Sequence, residues 1–210
     1  MNETVKRALS GTVYIVLLLA SILYSTESFF LLFGIFLLIA IFEFSNLIQV
    51  RKIIPLISGL LIYGGITLIS HYRKETTAFL SSITQKEVAI TINNTTLDWV
   101  LLVVTLVVSI KCILFLFYDS IQSVSTSSKY IYLLGYIILP FIFITKISFG
   151  VKEYNPKIII GLFILIWTND TFAYIVGKSI GKHKLLERIS PKKTIEGFIG
   201  GMLVSALMGR

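Results

Sequence analysis

Six apolar runs, at approximately 8–25, 28–49, 53–70, 99–118, 130–148 and 158–177, constrain this chain more than any other feature. A helix needs roughly 20 apolar residues to cross a hydrocarbon core of about 30 Å, and each run is close to that length. Between them stand short polar patches rather than the polar surface that a soluble core would need. A composition of 55% hydrophobic and 14% charged residues, with a mean hydropathy of +0.87, places the chain outside the range of soluble domains. The expected architecture is all-α: a polytopic integral membrane protein, one membrane-embedded domain over residues 1–210. It has six transmembrane helices plus an incomplete seventh that begins near Thr194 and stops at Arg210. Lys6 and Arg7 give the first run a basic start, but no small-x-small cleavage site follows, so it is read as a span rather than a signal peptide.

Cations near span ends set the orientation. With the N-terminus inside, Lys6, Arg7, Arg51, Lys52, Lys129, Lys178, Lys182, Lys184, Arg188, Lys192 and Lys193 fall on the inner side. Arg73, Lys74, Lys86, Lys146, Lys152 and Lys157 fall outside. The expectation is a multi-pass protein of the cell (inner) membrane, with a basic cytoplasmic loop at 178–194. The net charge of +8 does not point to nucleic acid, because the cations sit between apolar runs and no aromatic-interleaved basic stretch is present. Membrane lipids and phosphates are the expected partners. Cys112 is the single cysteine and lies in an apolar run, which excludes an internal disulfide or a cysteine-based metal cluster. The polar connection at 71–98 carries glycosylation sequons at Asn93 and Asn94, which are read as chance occurrences.

Asp170 interrupts the sixth run, in Ile-Trp-Thr-Asn-Asp-Thr-Phe-Ala-Tyr. A carboxylate within a span costs about 2.5–3.5 kcal/mol on insertion scales, so it faces a cavity, an ion or a partner rather than lipid. Its rival role is a structural hydrogen bond between helices, shared with Thr168 and Asn169. Glu43, near the inner end of the second run, can reach the interface and is read as structural, the alternative being that it lines the same site as Asp170. Residues 177–201 carry six cations and put glycine and lysine in the order Gly177-Lys178, Gly181-Lys182, then Lys184. Such glycines let backbone N–H groups approach an anion. Ser190 followed by Pro191 reads as an N-cap and first helical residue, which would place free N–H groups beside Lys192, Lys193 and Thr194. A phosphate site and an ordinary positive-inside loop both account for the charge. Gly197, Gly200 and Gly201 have the spacing for a close helix crossing in lipid. His183 has no neighbouring ligand set, so it is read as touching phosphate or water rather than metal.

The chain has no Gly-x-x-x-x-Gly-Lys-Ser/Thr loop, no strand-linked Gly-x-Gly-x-x-Gly and no His-Glu-x-x-His, which excludes P-loop, Rossmann and zincin chemistry. The Asp-x-x-Asp-Gly pattern of enzymes that consume CDP-activated lipids is also missing.

In contrast, Asn169-Asp170-Thr171-Phe172-Ala173-Tyr174, then Gly177 and Gly181-Lys182, then Ile189-Ser190-Pro191-Lys192-Lys193-Thr194-Ile195-Glu196-Gly197 with Gly200-Gly201, resembles the phosphatidate cytidylyltransferases. The resemblance implies that phosphatidate attacks the α-phosphorus of CTP, releasing pyrophosphate and leaving CDP-diacylglycerol in the bilayer. Two anions must meet, so it also implies Mg²⁺ beside a cationic loop. Carried onto matching positions, it gives Asp170 and Lys193 catalytic roles, with Asp170 as metal ligand. Asn169, Tyr174, Gly177, Gly181, Lys182, Ser190, Thr194 and Glu196 become substrate-binding residues, and the homodimer is implied by resemblance alone. The family continues into a signature of the type Ser-x-x-Lys-Arg, then Lys-Asp and a closing Asp-Arg-x-Asp, which these 210 residues do not contain. Those aspartates are the family's main metal ligands, so the expectation is a truncated sequence, a split protein or a decayed copy, inactive alone. Two rival functions remain: a CTP-dependent lipid kinase of the polyprenol type, and a non-catalytic membrane protein or transporter using Asp170 as an ion site.

Overall fold

The computed structural model describes residues 3–71, 82–83, 94–117, 125–149 and 154–209, and the chain divides into two compact units, 1–149 and 150–210. In the first unit, α1 spans Glu3–Tyr24, α2 Thr26–Leu47, α3 Ile53–His71 and α4 Asn94–Phe117. A last helix runs through α5 (Thr126–Tyr132), a π-helical segment (Leu133–Ile138) and α6 (Leu139–Ile147). The second unit consists of α7 (Pro156–Ile180), strands β1 (Lys184–Leu186) and β2 (Ser190–Thr194), and α8 (Ile195–Met208).

Each of the six apolar runs is helical over its described residues except at the run ends, and the chain is a helical membrane protein. Thr26–Leu47, Thr126–Ile147 and Pro156–Ile180 are long and apolar enough to cross a bilayer by length and composition. Ala8–Tyr24, Ile53–Leu68, Trp99–Leu114 and Ile195–Met208 are shorter apolar helices. Large apolar side chains such as Val16, Leu31, Ile57 and Leu61 stand exposed, as they do where lipid is the solvent. The 71–98 connection, with the sequon at Asn93, lies mostly outside the described residues, as do Arg73, Lys74, Lys86 and Lys152.

The first unit is built on α2, which contacts α1, α3 and the π segment and buries Phe29, Leu32, Phe33, Leu37 and Ile41. That spacing of three and four residues forms one stripe along a helix. Ser25 starts α2 with a capping box, its hydroxyl and that of Ser28 exchanging hydrogen bonds with each other's backbone N–H at 3.1 Å. Phe29 and Phe33 pack rings 4.5 Å apart. The fifth run does not form a uniform helix. Pro140 has no N–H to give the carbonyl of Tyr136, and the ladder relaxes just before it, with Leu139 donating five residues back to Leu134. Gly135 within that segment admits Val108 of α4, whose Cβ would stand 2.5 Å from any Cβ added there. Glu43 is exposed on α2.

The second unit departs from the expected loop at 178–194. Helix α7 continues through Ile180, and Lys184–Leu186 and Ser190–Thr194 form an antiparallel hairpin. The hairpin is an addition to an otherwise all-α set of described elements.

Candidate functional site

The site region is built from α7, the hairpin and α8. Asn155 caps α7, its side chain accepting from the Lys157 N–H at 3.1 Å, and Pro156 occupies the first turn, where no N–H is needed. The helix stops at Gly181, whose N–H is donated to the Gly177 carbonyl at 3.2 Å. Between these ends α7 lays Asn169, Ala173 and Gly177, each four residues apart, against Gly197 and Gly201 of α8. A Cβ at Gly197 would stand 2.6 Å from the Ala173 carbonyl oxygen, and one at Gly201 would stand 2.6 Å from that of Asn169. Backbone therefore meets backbone, which only glycine allows. Gly200 fits under Val176 in the same contact. The packing role expected for Gly197, Gly200 and Gly201 is borne out.

Ser190 and Pro191 do not start the next helix. Thr194 is its N-cap, in extended conformation, with its hydroxyl accepting from the Gly197 N–H at 3.2 Å. Ser190 pairs with Leu186 and Thr194 with Lys184, and between these pairs β2 is bulged over Pro191–Lys193. Proline is tolerated at a bulge because it owes no ladder hydrogen bond. The Pro191 carbonyl accepts from Lys184 Nζ at 2.6 Å, and the Ile189 N–H closes the turn onto Leu186 at 3.1 Å. Thr194 also fills the space that Gly177 and Gly181 leave open; its Oγ1 would be 2.9 and 2.7 Å from a Cβ added at either. Those two glycines admit Thr194, and the Gly181 N–H is already donated within the helix end.

Backbone N–H groups of Lys182 and His183 do face an anion, and the anion is Glu196. Lys182 N–H donates to its carboxylate at 3.1 Å, and His183 N–H reaches both oxygens at 3.2 and 3.3 Å. The His183 ring donates through Nδ1 at 2.6 Å. The Ile195 N–H returns to the His183 carbonyl at 2.9 Å. Glu196 lies in this polar hairpin layer, at the first turn of α8. The bond from the His183 ring, with backbone donors from Glu196 itself, Lys182 and His183, pulls its carboxyl down to about 2 despite partial burial.

The predicted residues therefore separate into three groups. Asn169, Gly177, Gly181, Thr194 and Glu196 meet in the α7–α8 contact and at the hairpin base. Asp170 and Tyr174 lie on another face of α7, continued by Lys178, whose Nζ stands 5.8 Å from the Tyr174 ring centre. Asp170 is exposed there, about 15 Å along the axis from Ile180 at the helical rise. The side chains of Lys182 and Lys193 are exposed, and Ser190 is half-buried. The sequence predicts phosphate or water beside His183, whereas its partner is thirteen residues away across the hairpin, where no local pattern points.

The profile of the cytidylyltransferase family matches residues 5–210. The chain belongs to that family. Similar curated relatives include the phosphatidate cytidylyltransferase of Aquifex aeolicus, 43% identical over 79 residues, which are 38% of this chain and 29% of that protein. That of Staphylococcus epidermidis is 54% identical over 52 residues, 25% of this chain and 20% of the relative. That of Staphylococcus aureus is 56% identical over 46 residues, covering 22% and 18%. The alignments thus span less than a third of the length of these relatives. No solved structure matches.

Magnesium is held through one or two carboxylates together with substrate phosphates and water. Among the described residues no three His, Cys, Asp or Glu side chains cluster. Glu196 is engaged by the chain at 182–183, whereas Asp170 and Glu187 are exposed carboxylates of the same unit.

Proposed function

We propose that this chain is a membrane-embedded part of an enzyme that transfers the cytidylyl group of CTP to phosphatidate. A phosphate oxygen of phosphatidate attacks the α-phosphorus of CTP, the bond to the bridging oxygen of the β-phosphate breaks, and pyrophosphate leaves. CDP-diacylglycerol stays in the bilayer. The observation that carries this reading is the hairpin of four cations, Lys184, Arg188, Lys192 and Lys193, set directly after a helix long enough to span and bearing Asp170. A reaction between two anions gains most from positioning and charge neutralisation. In this reading Lys182 and Lys193 receive CTP phosphates, with Ser190 beside them. Asn169, Gly177, Gly181 and Thr194 set the close packing on which the hairpin stands, and Tyr174 and Lys178 flank Asp170. Mg²⁺ would be held by Asp170 with substrate oxygens and would supply charge neutralisation and Lewis acidity at phosphate. The hairpin faces the cytoplasm, where CTP is, in a multi-pass cell-membrane protein; assembly as a homodimer belongs to the same proposal.

The test is Mg²⁺-dependent conversion of radiolabelled CTP and phosphatidate by membranes expressing these 210 residues, beside a form extended through the downstream reading frame. CDP-diacylglycerol from either supports the proposal, and product from the extended form alone shows that further residues complete the site. Absence of product from both overturns it, and phosphorylation of a polyprenol by CTP would replace it with the lipid kinase.

A further inference from the structure

A short two-stranded hairpin is at best marginally stable by itself, and this one is bulged and crowded with like charge. Lys184, Arg188, Lys192 and Lys193 repel one another, with Glu187 as the only acid between the two strand ends. What closes it is outside the ladder. The chain entering β1 and the chain leaving β2 are tied by the Lys182 and His183 N–H groups and the His183 ring on Glu196, and by Ile195 N–H on the His183 carbonyl. Most of these bonds end on one carboxylate, and bonds to an ionised acceptor are the strong ones. The carboxylate also leaves the side chains of Lys182 and Lys193 exposed, because it uses backbone donors and an imidazole rather than lysine ammonium groups.

We infer that Glu196 is a positioning residue: its carboxylate closes the base of the β1–β2 hairpin and so holds the hairpin's cations in the array that receives the triphosphate of the nucleotide. The closure stands on the hydrogen bonds alone, whereas the consequence for the nucleotide rests on the function proposed above. Glu196 touches neither the lysine heads nor, in this role, the substrate. It acts through the backbone at 182–183, and a neutral side chain with an acceptor oxygen keeps part of that action.

Hydrogen exchange and equilibrium CTP binding, both on the protein in lipid nanodiscs, test the two halves. Glu196→Ala should speed exchange of the 182–194 amides by about tenfold or more, the effect of losing charge-assisted bonds, while α7 amides at 160–176 keep their protection. Affinity for CTP should fall by about tenfold in the same variant. Glu196→Gln should recover part of both, since its amide oxygen still accepts, whereas a role in charge balance alone would leave Gln and Ala alike. Lys193→Ala should weaken CTP binding without changing exchange. Unchanged hairpin exchange in Glu196→Ala overturns the closure. Faster exchange with unchanged CTP affinity overturns the positioning role. A wild-type protein that binds no CTP, yet shows the exchange difference, removes the proposed function and the nucleotide half with it while supporting the closure. If Glu196→Ala does not insert, the same comparison is read from Glu196→Gln and from His183→Ala, which loses the ring donor alone.

Discussion

The two compact units solve the same packing problem with different emphasis: glycines of the first, such as Gly135, receive side chains, whereas Gly197 and Gly201 of the second meet backbone. Residues 3–149 bury large side chains: Phe29, Phe33, Leu37 and Ile41 of α2 fill the space between helices. Residues 154–209 join α7 to α8 by removing side chains, so that Gly197 and Gly201 touch the carbonyls of Ala173 and Asn169. Lipid explains why both work, since without a hydrophobic drive between helices the gain comes from contact density, reached by interdigitating bulk or by bringing backbones together. The difference teaches where rigidity is needed. Backbone contact fixes the α7–α8 crossing with few adjustable torsions, and the hairpin that carries the cations springs from that crossing.

The contrast breaks most visibly on truncation. Phe29→Ala should cost the first unit about 3 kcal/mol through the cavity it leaves, read as a lower midpoint of denaturation in detergent. A change within error would mean that α2 is not the core of that unit. Next in size is the chemistry. Asp170→Asn and Lys193→Ala should each lower turnover of the complete enzyme by about a hundredfold, the loss typical of removing one electrostatic stabiliser, with membrane insertion intact. Near-normal turnover in both would sink the site assignment. In the second unit the sensitive change is enlargement at the α7–α8 crossing. Gly197→Val should cost about 1–3 kcal/mol as overpacking against a carbonyl that cannot move away, whereas Val16→Ala on an exposed face of α1 should change little. A tolerated valine at 197 would show that the two backbones are not in contact.

A smaller effect sharpens the comparison at the helix starts. Ser25→Ala should cost α2 about 1 kcal/mol by removing its cap, and the fraying should be visible in exchange of the first-turn amides. The smallest is a titration. The Glu196 carboxyl is held at about 2, below the usual 4.5, so the stabilisation it gives the hairpin is complete above about 4.5 and is lost as pH falls through about 2. The carboxyl carbon shift of labelled Glu196 should show this midpoint, and His183→Ala should move it upward toward the ordinary value. A midpoint that does not move with the ring removed would place the cause elsewhere.

The apolar runs located the helices because lipid penalises any unpaired backbone group, so hydropathy over about 20 residues already dictates helix. The sixth run, expected at 158–177, differs from α7 by only a few residues at each end, set by the Asn155 cap and the Gly181 stop. The family pattern and the small-residue spacing of Gly197 and Gly201 were legible for a similar reason, since both are local in the chain. The hairpin was not. Ser-Pro is a good helix start by local rules, but Ser190 and Thr194 are claimed by Leu186 and Lys184 across a turn, and the cap falls to Thr194. Nor could the order of residues show that Gly177 and Gly181 receive a threonine, or that His183 and Glu196 share a bond thirteen residues apart. Sequence alone determined which segments form apolar helices and which family the motif belongs to, because those follow from short-range chemistry. The tertiary structure alone decided which groups face one another, because a hydrogen bond across a hairpin depends on how two distant backbones are brought together.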